Sequence, residues 1–472
     1  MTAPTSLPQN TKSPGLAALA SALAPGLGHL YTGRQRVGRR LLTATAVLFV
    51  LALLAVLFLQ LELAKMWVDL DSLVILMLAN IAVLTFRGAA ALNAYDSAGS
   101  SRGFLTYAGA GVAALLIVAP HAVFGHLVLV QHDLVSTVFV GSEDPRPPVA
   151  GGTTEPDQGP GISTPETDPT QPAPSDPAIW DGLERLNVVL LGADAGSGRT
   201  GLRTDTTIVI SIDPETGDAV MLSVPRNLSA APLPEGMGSW DCNCFPDLIT
   251  HLYDAAERSP GDFPGPGQPP INALKAALGE IFGIPIHYYA LVTLDGFVAV
   301  VDAFGGVDID VPVTIVDETY PHEDGSVVHI EIPAGRQHLD GHHALAYARI
   351  RRHADDFARM HRQRCVLEAV VEQSSPAEII FRYGSIAQVL KDHLSTDIPQ
   401  DQLPDFIDLL PRLSTDRIAT LRITEDDYKT GEEGLLTFYD LDRIKADAQA
   451  LMTDPEAAQE SLELESLDTT CE

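Results

Sequence analysis

Hydropathy divides the chain into unlike parts. Residues 42–61, 72–94 and 104–130 are apolar stretches, the first of them apolar on every helical face rather than along one stripe. Each is long enough to supply the ~20 apolar residues that cross a bilayer core. They predict a three-span region over 41–131. Residues 14–31 (PGLAALASALAPGLGHLY) are small and moderately apolar, broken by Pro25 and two glycines, and predict an interfacial or re-entrant segment rather than a fourth span. Residues 141–178 have almost no large apolar side chains and are rich in Pro, Gly, Ser, Thr and acidic residues. Such a stretch cannot bury enough surface to fold, so 132–183 is expected to be an extended linker.

From about residue 184 the pattern turns globular. The runs 187–191 (NVVLL), 206–212 (TTIVISI) and 219–224 (AVMLSV) are short and β-branched, and the second ends in the turn signal Asp213-Pro214-Glu215-Thr216-Gly217. Helical periodicity follows at 271–282, a strand at 287–293, a helix at 295–304 and a strand at 307–311. A helix begins at His342–Tyr347 and a longer one covers 357–373. Alternating strands and helices predict an α/β fold, a mixed α/β sandwich with a central sheet flanked by helices, after the N-terminal transmembrane region. Residues 376–452 are expected to be mostly helical and to complete this domain, and 453–472 to be a loose acidic tail.

Charge sets the orientation. Arg34, Arg36, Arg39 and Arg40 precede the first span, and Arg87 and Arg102 flank the connector between the second and third. Basic residues gather on the cytoplasmic side. Residues 1–40 are therefore expected inside and everything after about 131 outside, on a multi-pass protein of the cell membrane. With 30 Lys and Arg against 62 Asp and Glu, the formal charge is -32, which argues against a nucleic-acid binder. The four cysteines, Cys242, Cys244, Cys365 and Cys471, have no zinc-finger spacing and suit disulfides outside the cell. Cys242 and Cys244 are close enough in sequence to discourage a mutual bridge, so Cys365 is expected to pair with one of them.

Two segments carry candidate chemistry. Residues 192–206 (GADAGSGRTGLRTDT) form a glycine-rich loop after a strand, with Asp194, Arg203 and Asp205. Backbone N–H groups in such a loop approach phosphate oxygens, and two carboxylates can share a hard cation. It is not a Walker A loop: Ala193 stands for the first glycine and Arg199 for the lysine. Residues 349–364 (RIRRHADDFARMHRQR) hold six arginines, one fifth of all Lys and Arg in an acidic protein. Arg349 and Arg351 alternate as on an extended segment, and Arg359, Arg362 and Gln363 fall on one helical face. Arginine offers a fork of donors that suits phosphate. Asp355 and Asp356 are ion-pair partners or site residues, and Arg226 after SVPR is a further candidate.

On these residues the region from about 186 to 375 resembles the LytR-CpsA-Psr family of cell-wall glycopolymer ligases. The resemblance is carried by NVVLLGADAG…LRTDTTIVISIDPETG at 187–217, MLSVPRNL at 221–228, YYALVTLDGFVAVVDAFGGVDIDVP at 288–312 and the segment 332–364. It implies a catalytic domain over 184–375 that moves a glycopolymer from a polyprenyl-pyrophosphate carrier onto peptidoglycan. Asp194 and Asp205 would hold Mg²⁺ or Mn²⁺. Arg203, Arg226, Arg349, Arg351 and Arg359 would grip the pyrophosphate, with Arg362 and Gln363 beside them and Asp356 as a further acidic site residue. Two departures stand out: Ala358 replaces a usual glycine, and Ile249-Thr250-His251 occupies a place where an Asn-containing segment is common. A non-catalytic receptor for lipid-linked glycan, or a hydrolase using the same site, are the alternatives.

Overall fold

The computed structural model describes residues 12–99, 103–139, 180, 182–194, 202–321, 326–350, 362, 365–366, 369–370, 373, 376–413 and 417–461. The chain divides into two compact units, Met1–Val135 and Ser136–Glu472.

In the first unit, Ser13 caps helix α1 (Pro14–Leu23) by accepting from the Leu16 N–H, and Pro14 opens it. A proline costs nothing there, since the first N–H groups of a helix have no partner. α2 (Leu27–Thr32) runs between Gly26 and Gly33, both at positive φ. α3 (Gln35–Phe58) buries only Gly38. A short α4 (Gln60–Val68) leads to α5 (Leu70–Ser97) and α6 (Phe104–Val138), the last with Pro120 inside it. Three of these helices are long and apolar enough to cross a membrane: Gln35–Phe58, Leu70–Ser97 and Thr106–Val138. With 10 residues, α1 is too short to cross. It buries its alanines beside α5, and Arg87 of α5 donates to the Ala22 carbonyl at its C-terminal end, 2.8 Å away. α2 also packs closely on α1: a Cβ on Gly28 would lie 2.0 Å from the Ala17 carbonyl oxygen. Asn80 and His121 pair between α5 and α6, the Asn80 amide donating to the His121 carbonyl at 3.0 Å.

The second unit is built on a six-stranded mixed sheet whose strands are, from edge to edge, Leu394–Thr396, Tyr288–Thr293, Leu186–Asp194, Arg203–Ile212, Ala219–Val224 and Ile418–Arg422. In chain order its first three strands are β1 (Leu186–Asp194), β2 (Arg203–Ile212) and β3 (Ala219–Val224), joined antiparallel. β4 (Ser229–Pro232) and β5 (Cys244–Leu248) form a separate hairpin. A 3-10 turn at Ile249–His251 then leads into α7 (Leu252–Arg258) and α8 (Pro269–Phe282). β6 (Tyr288–Thr293) joins the sheet parallel to β1. On one face of the sheet, Val189, Leu191, Val209 and Leu222 pack with Leu274, Leu278, Ile281 and Phe282 of α8, forming the largest core. On the other face, Leu186, Ile212 and Ala219 pack with Trp180 and Leu409.

A second apolar cluster lies beyond β6. It joins α9 (Leu294–Phe304), β7 (Val307–Val311), β8 (Ile315–Pro321), β9 (Val327–Ile332), β10 (Gly335–Leu339) and α10 (Gly341–Arg349). Gly305 and Gly306, at φ 94° and 91°, make the turn from α9 into β7.

The mixed α/β sandwich of the sequence reading is the fold observed, with differences in detail. Residues 376–452 are not simply helical. Besides the helices Pro376–His393, Leu403–Leu409 and Leu441–Thr453, they supply β11 (Leu394–Thr396) and β12 (Ile418–Arg422), which close both edges of the central sheet. They also supply the hairpin of β13 (Lys429–Glu433) and β14 (Leu436–Tyr439). The expected loose tail begins with a helix, Pro455–Ser461, whose Ala458 is buried in the main core.

The cysteine expectation is corrected. Cys242 and Cys244 bridge each other, with Cα atoms 5.0 Å apart. The intervening Asn243 takes φ 48°, a left-handed conformation that Asn tolerates well and that folds the chain back tightly enough for the bridge. Cys365 is itself disulfide-bonded, and not to either of these.

Candidate functional site

The site is assembled where the ends of β1 and β2 meet the segment after β3 and the end of α10. β1 and β2 run in register until Gly192↔Thr206; the next pair is Ala193↔Thr204. Asp205 is therefore the extra residue of a β-bulge. A bulge interrupts the alternation of side chains and re-aims them, and bulges recur at functional sites. Gly192 makes it possible, because a Cβ there would sit 2.9 Å from the Thr206 Cβ. Past the bulge Arg203 faces Asp194 across the ladder.

Each carboxylate meets one arginine from elsewhere. Thr207 pairs with Val224 in the β2–β3 ladder. Continuing that register two residues brings Arg226 opposite Asp205, and Arg226 Nη1 donates to Asp205 Oδ1 at 3.0 Å. Asp194 is buried, and Arg349 Nη2 donates to its Oδ2 at 3.3 Å. Removing one member of such a pair leaves the other charge poorly compensated, the more so where it is buried.

Arg349 is not on an extended segment, as its alternation with Arg351 suggested. It is the last residue of α10, a helix capped at its start by Asp340, and the chain becomes extended at Ile350. Arg362 also has a different place. It is buried; its Nε donates to the Tyr347 carbonyl at 2.7 Å and its Nη2 to the Ile350 carbonyl. These are the carbonyls that the end of a helix leaves without partners, so Arg362 clamps the C-terminus of α10 on either side of Arg349. Residues Arg351, Asp355, Asp356, Arg359 and Gln363 lie outside the described residues.

A cation that the resemblance implies would need oxygen donors. Among the described residues no group of three or more His, Cys, Asp or Glu side chains is gathered as for a metal ion. Two carboxylates on adjacent strands do suit Mg²⁺ or Mn²⁺, since Mg²⁺ commonly takes one or two carboxylates and completes its shell with phosphate and water. Asp194 and Asp205 fit that role and no closed protein cage.

Two residues to which the sequence reading gave no role, Asp247 and His251, border this cluster. His251 Nδ1 and Asp247 Oδ2 are 2.9 Å apart, and Asp247 Oδ1 accepts the Leu248 N–H at 2.7 Å. Partial burial raises the Asp247 carboxyl, but the His251 and Leu248 hydrogen bonds and the nearby charges of His251 and Arg203 outweigh it and hold the group below its ordinary value. The signal in the sequence was the four-residue spacing of Asp247 and His251, beside the departure at 249–251. The hydroxyls of Thr204, between Arg203 and Asp205, and of Thr250, beside His251, are buried with no hydrogen-bond partner among the described residues.

Residues 165–451 match the model of the LytR_cpsA_psr family, more than half of the chain. The chain belongs to the LytR-CpsA-Psr family. Among its relatives is the polyisoprenyl-teichoic acid–peptidoglycan teichoic acid transferase TagU of Oceanobacillus iheyensis, 30% identical over 227 residues, which are 48% of this chain and 62% of that protein. TagU of Bacillus mycoides is 28% identical over 224 residues, 47% of this chain and 63% of that protein. The chain thus spans a little over three fifths of the length of these curated relatives. Of solved structures, B. subtilis TagV is similar with 26% identity and a TM-score of 0.42, over 57% of this chain and 98% of that one.

Proposed function

We propose that the second unit transfers a glycopolymer from a polyprenyl-pyrophosphate carrier to a peptidoglycan hydroxyl, forming a phosphodiester at the outer face of the membrane. The observation that carries this reading is the convergence of Asp194, Arg203, Asp205, Arg226 and Arg349 at one end of the sheet. The TagU relatives are named for transfer of teichoic acid to peptidoglycan from a polyisoprenyl carrier, and their chemistry fits such a site.

Phosphoryl transfer leaves a protein mainly positioning and charge neutralisation to do. Arg203, Arg226 and Arg349 would bind the pyrophosphate oxygens. Arg351, Arg359 and Gln363 would extend the grip, and Asp356 would add a carboxylate. Arg362 holds the end of α10, so it acts by positioning Arg349. Mg²⁺ or Mn²⁺ held by Asp194 and Asp205 would neutralise phosphate charge. The arginines orient the sugar-proximal phosphorus toward the acceptor, and polyprenyl phosphate departs.

The test is a transfer assay on full-length protein in lipid nanodiscs, with a polyprenyl-pyrophosphate-linked glycan, Mg²⁺ and peptidoglycan fragments. Asp205→Ala should abolish metal-dependent turnover, a loss of about 100-fold or more, while lipid binding survives in part. Arg359→Ala should weaken binding and turnover together by about 1.5–3 kcal/mol, the value of a charge-assisted hydrogen bond. Wild-type turnover by Asp205→Ala would overturn the metal assignment.

The arginines at the N-terminal end of α3, Arg34, Arg36, Arg39 and Arg40, favour an extracytoplasmic second unit. A cysteine introduced at 145–175 should react with an impermeant maleimide on intact cells, whereas one near residue 10 should not; the reverse pattern would place the site inside.

A further inference from the structure

We propose that His251, held by Asp247, accepts the proton of the attacking sugar hydroxyl in this same site. The inference rests on the transferase reading and adds the group that reading lacks. A hydroxyl that forms a bond to phosphorus must give up its proton, and the arginines of the site have no acceptor atom. Asp194 and Asp205 are each engaged by a guanidinium. An imidazole, whose ordinary range straddles neutral pH, is suited to the task.

Three observations place His251 there. The turn that carries it is tied to the segment of Arg226 between β3 and β4: the Ile249 N–H donates to the Leu228 carbonyl at 2.8 Å, and the Thr250 N–H to the Arg226 carbonyl at 3.4 Å. The guanidinium of that same Arg226 holds Asp205. Finally, the charge of Arg203 is felt at Asp247, so the pair lies within the field of the site.

The geometry also sets the tautomer. An ionised carboxylate only accepts, so the hydrogen of the 2.9 Å contact belongs to His251 Nδ1. Nε2 is then the basic nitrogen, the arrangement by which a buttressing carboxylate prepares an imidazole to take a proton. The Leu248 N–H bond to the other oxygen fixes the carboxylate. The neighbouring charged groups are Arg203 and Asp205 on β2, Arg226 after β3 and Asp254 on α7, the last paired with Arg258.

The step balances. The acceptor oxygen forms its bond to the sugar-proximal phosphorus while the bond from that phosphorus to the bridging oxygen breaks. The electron pair leaves with polyprenyl phosphate, and the hydroxyl proton moves to His251 Nε2. The imidazolium is stabilised by Asp247 and returns its proton to solvent.

The experiment uses full-length protein in nanodiscs, an octaprenyl-pyrophosphate-linked disaccharide, soluble peptidoglycan fragments and Mg²⁺. His251→Gln keeps a hydrogen-bonding group toward Asp247. It should lower kcat by about 100-fold or more, leave the Kd for octaprenyl pyrophosphate within about twofold of wild type, and remove the acidic limb of the kcat–pH profile. Asp247→Asn should keep that limb but move it to lower pH, because the imidazolium loses its counter-charge. Should His251→Gln fail to fold, the displacement in Asp247→Asn carries the test alone. Retention of the limb and of kcat by His251→Gln, or loss of the limb in Asp356→Asn instead, overturns the proposal. If wild type binds the lipid pyrophosphate and transfers nothing from the disaccharide donor, the transferase reading falls and takes this one with it.

Discussion

The two units of the chain bury small and large side chains in different proportions. In the first, Ala17, Ala22, Ala91 and Ala94 with the polar Ser21 and His29 make up much of the interior, beside a few larger side chains such as Leu73 and Ile117, while Leu48, Phe49, Phe58 and Leu115 lie outside. In the second, Leu274, Leu278, Ile281 and Phe282 are inside. The difference matches a lipid solvent for the three helices long and apolar enough to cross a membrane, and water for the second unit. Helices in lipid gain little from burying leucine, which is already in an apolar medium, so they associate through small residues and interhelical hydrogen bonds such as Asn80–His121. In water the hydrophobic effect dominates, and large side chains fill the core. The Arg87 bond to the Ala22 carbonyl and the Arg362 clamp on α10 show one physical need met in both settings: the end of a helix must give its carbonyls a donor.

The comparison breaks most readily with equal truncations. Leu274→Ala should destabilise the second unit by about 2–5 kcal/mol, because it opens a cavity in a close-packed core. Leu51→Ala, at a residue 56% exposed on α3, should leave unfolding within about 0.5 kcal/mol of wild type. Trp240, packed on Phe245 and Phe263, reports on the second unit by fluorescence. Equal losses from the two substitutions would contradict the assignment of lipid as the solvent of α3.

A smaller effect sharpens the picture of the second unit. His287 accepts the Asn187 N–H through Nδ1 at 2.9 Å, and desolvation together with the Lys275 charge lowers its pKa. The unfolded chain therefore binds this proton more readily than the folded one. Stability from this residue is complete above the unfolded value of about 6.5 and is lost as pH falls from there through the lowered folded value. The melting temperature of the second unit should drop by a few degrees between pH 7.5 and 5, and His287→Gln should flatten that slope. An unchanged slope in the variant would assign the pH dependence to other groups.

The sequence made the core of the fold legible and its polar seams much less so. The β-branched runs that become β1, β2 and β3 announce themselves because each packs on an apolar layer. The end of β1, Ala193-Asp194, and the start of β2, Arg203-Thr204-Asp205, do not, since polar strand ends at a bulge resemble a loop. β11 is three residues long, and β12 owes its place to pairing with β3, a long-range effect that no local pattern records. The same limit applies to Arg362. Helical spacing put it on one face with Arg359, but only the end of α10 shows that its guanidinium is engaged by backbone carbonyls. The Cys242–Cys244 bridge depends on the left-handed Asn243, which sequence separation alone could not suggest. Asp194, Arg203, Asp205, Arg226 and Arg349 were legible as chemistry, because charge in a glycine-rich loop and arginine in an acidic protein are conspicuous; their pairing was not.

The most direct test of the account follows the phosphorus. A polyprenyl-pyrophosphate-linked glycan carrying ³²P only at the sugar-proximal position is supplied with Mg²⁺ and peptidoglycan fragments to full-length protein in nanodiscs. The account predicts that the label enters the peptidoglycan fraction in a phosphodiester, that polyprenyl monophosphate is released unlabelled, and that Asp205→Ala stops both. Label released as soluble glycan phosphate, or retained on the lipid while the glycan alone moves, would contradict phosphotransfer to the wall.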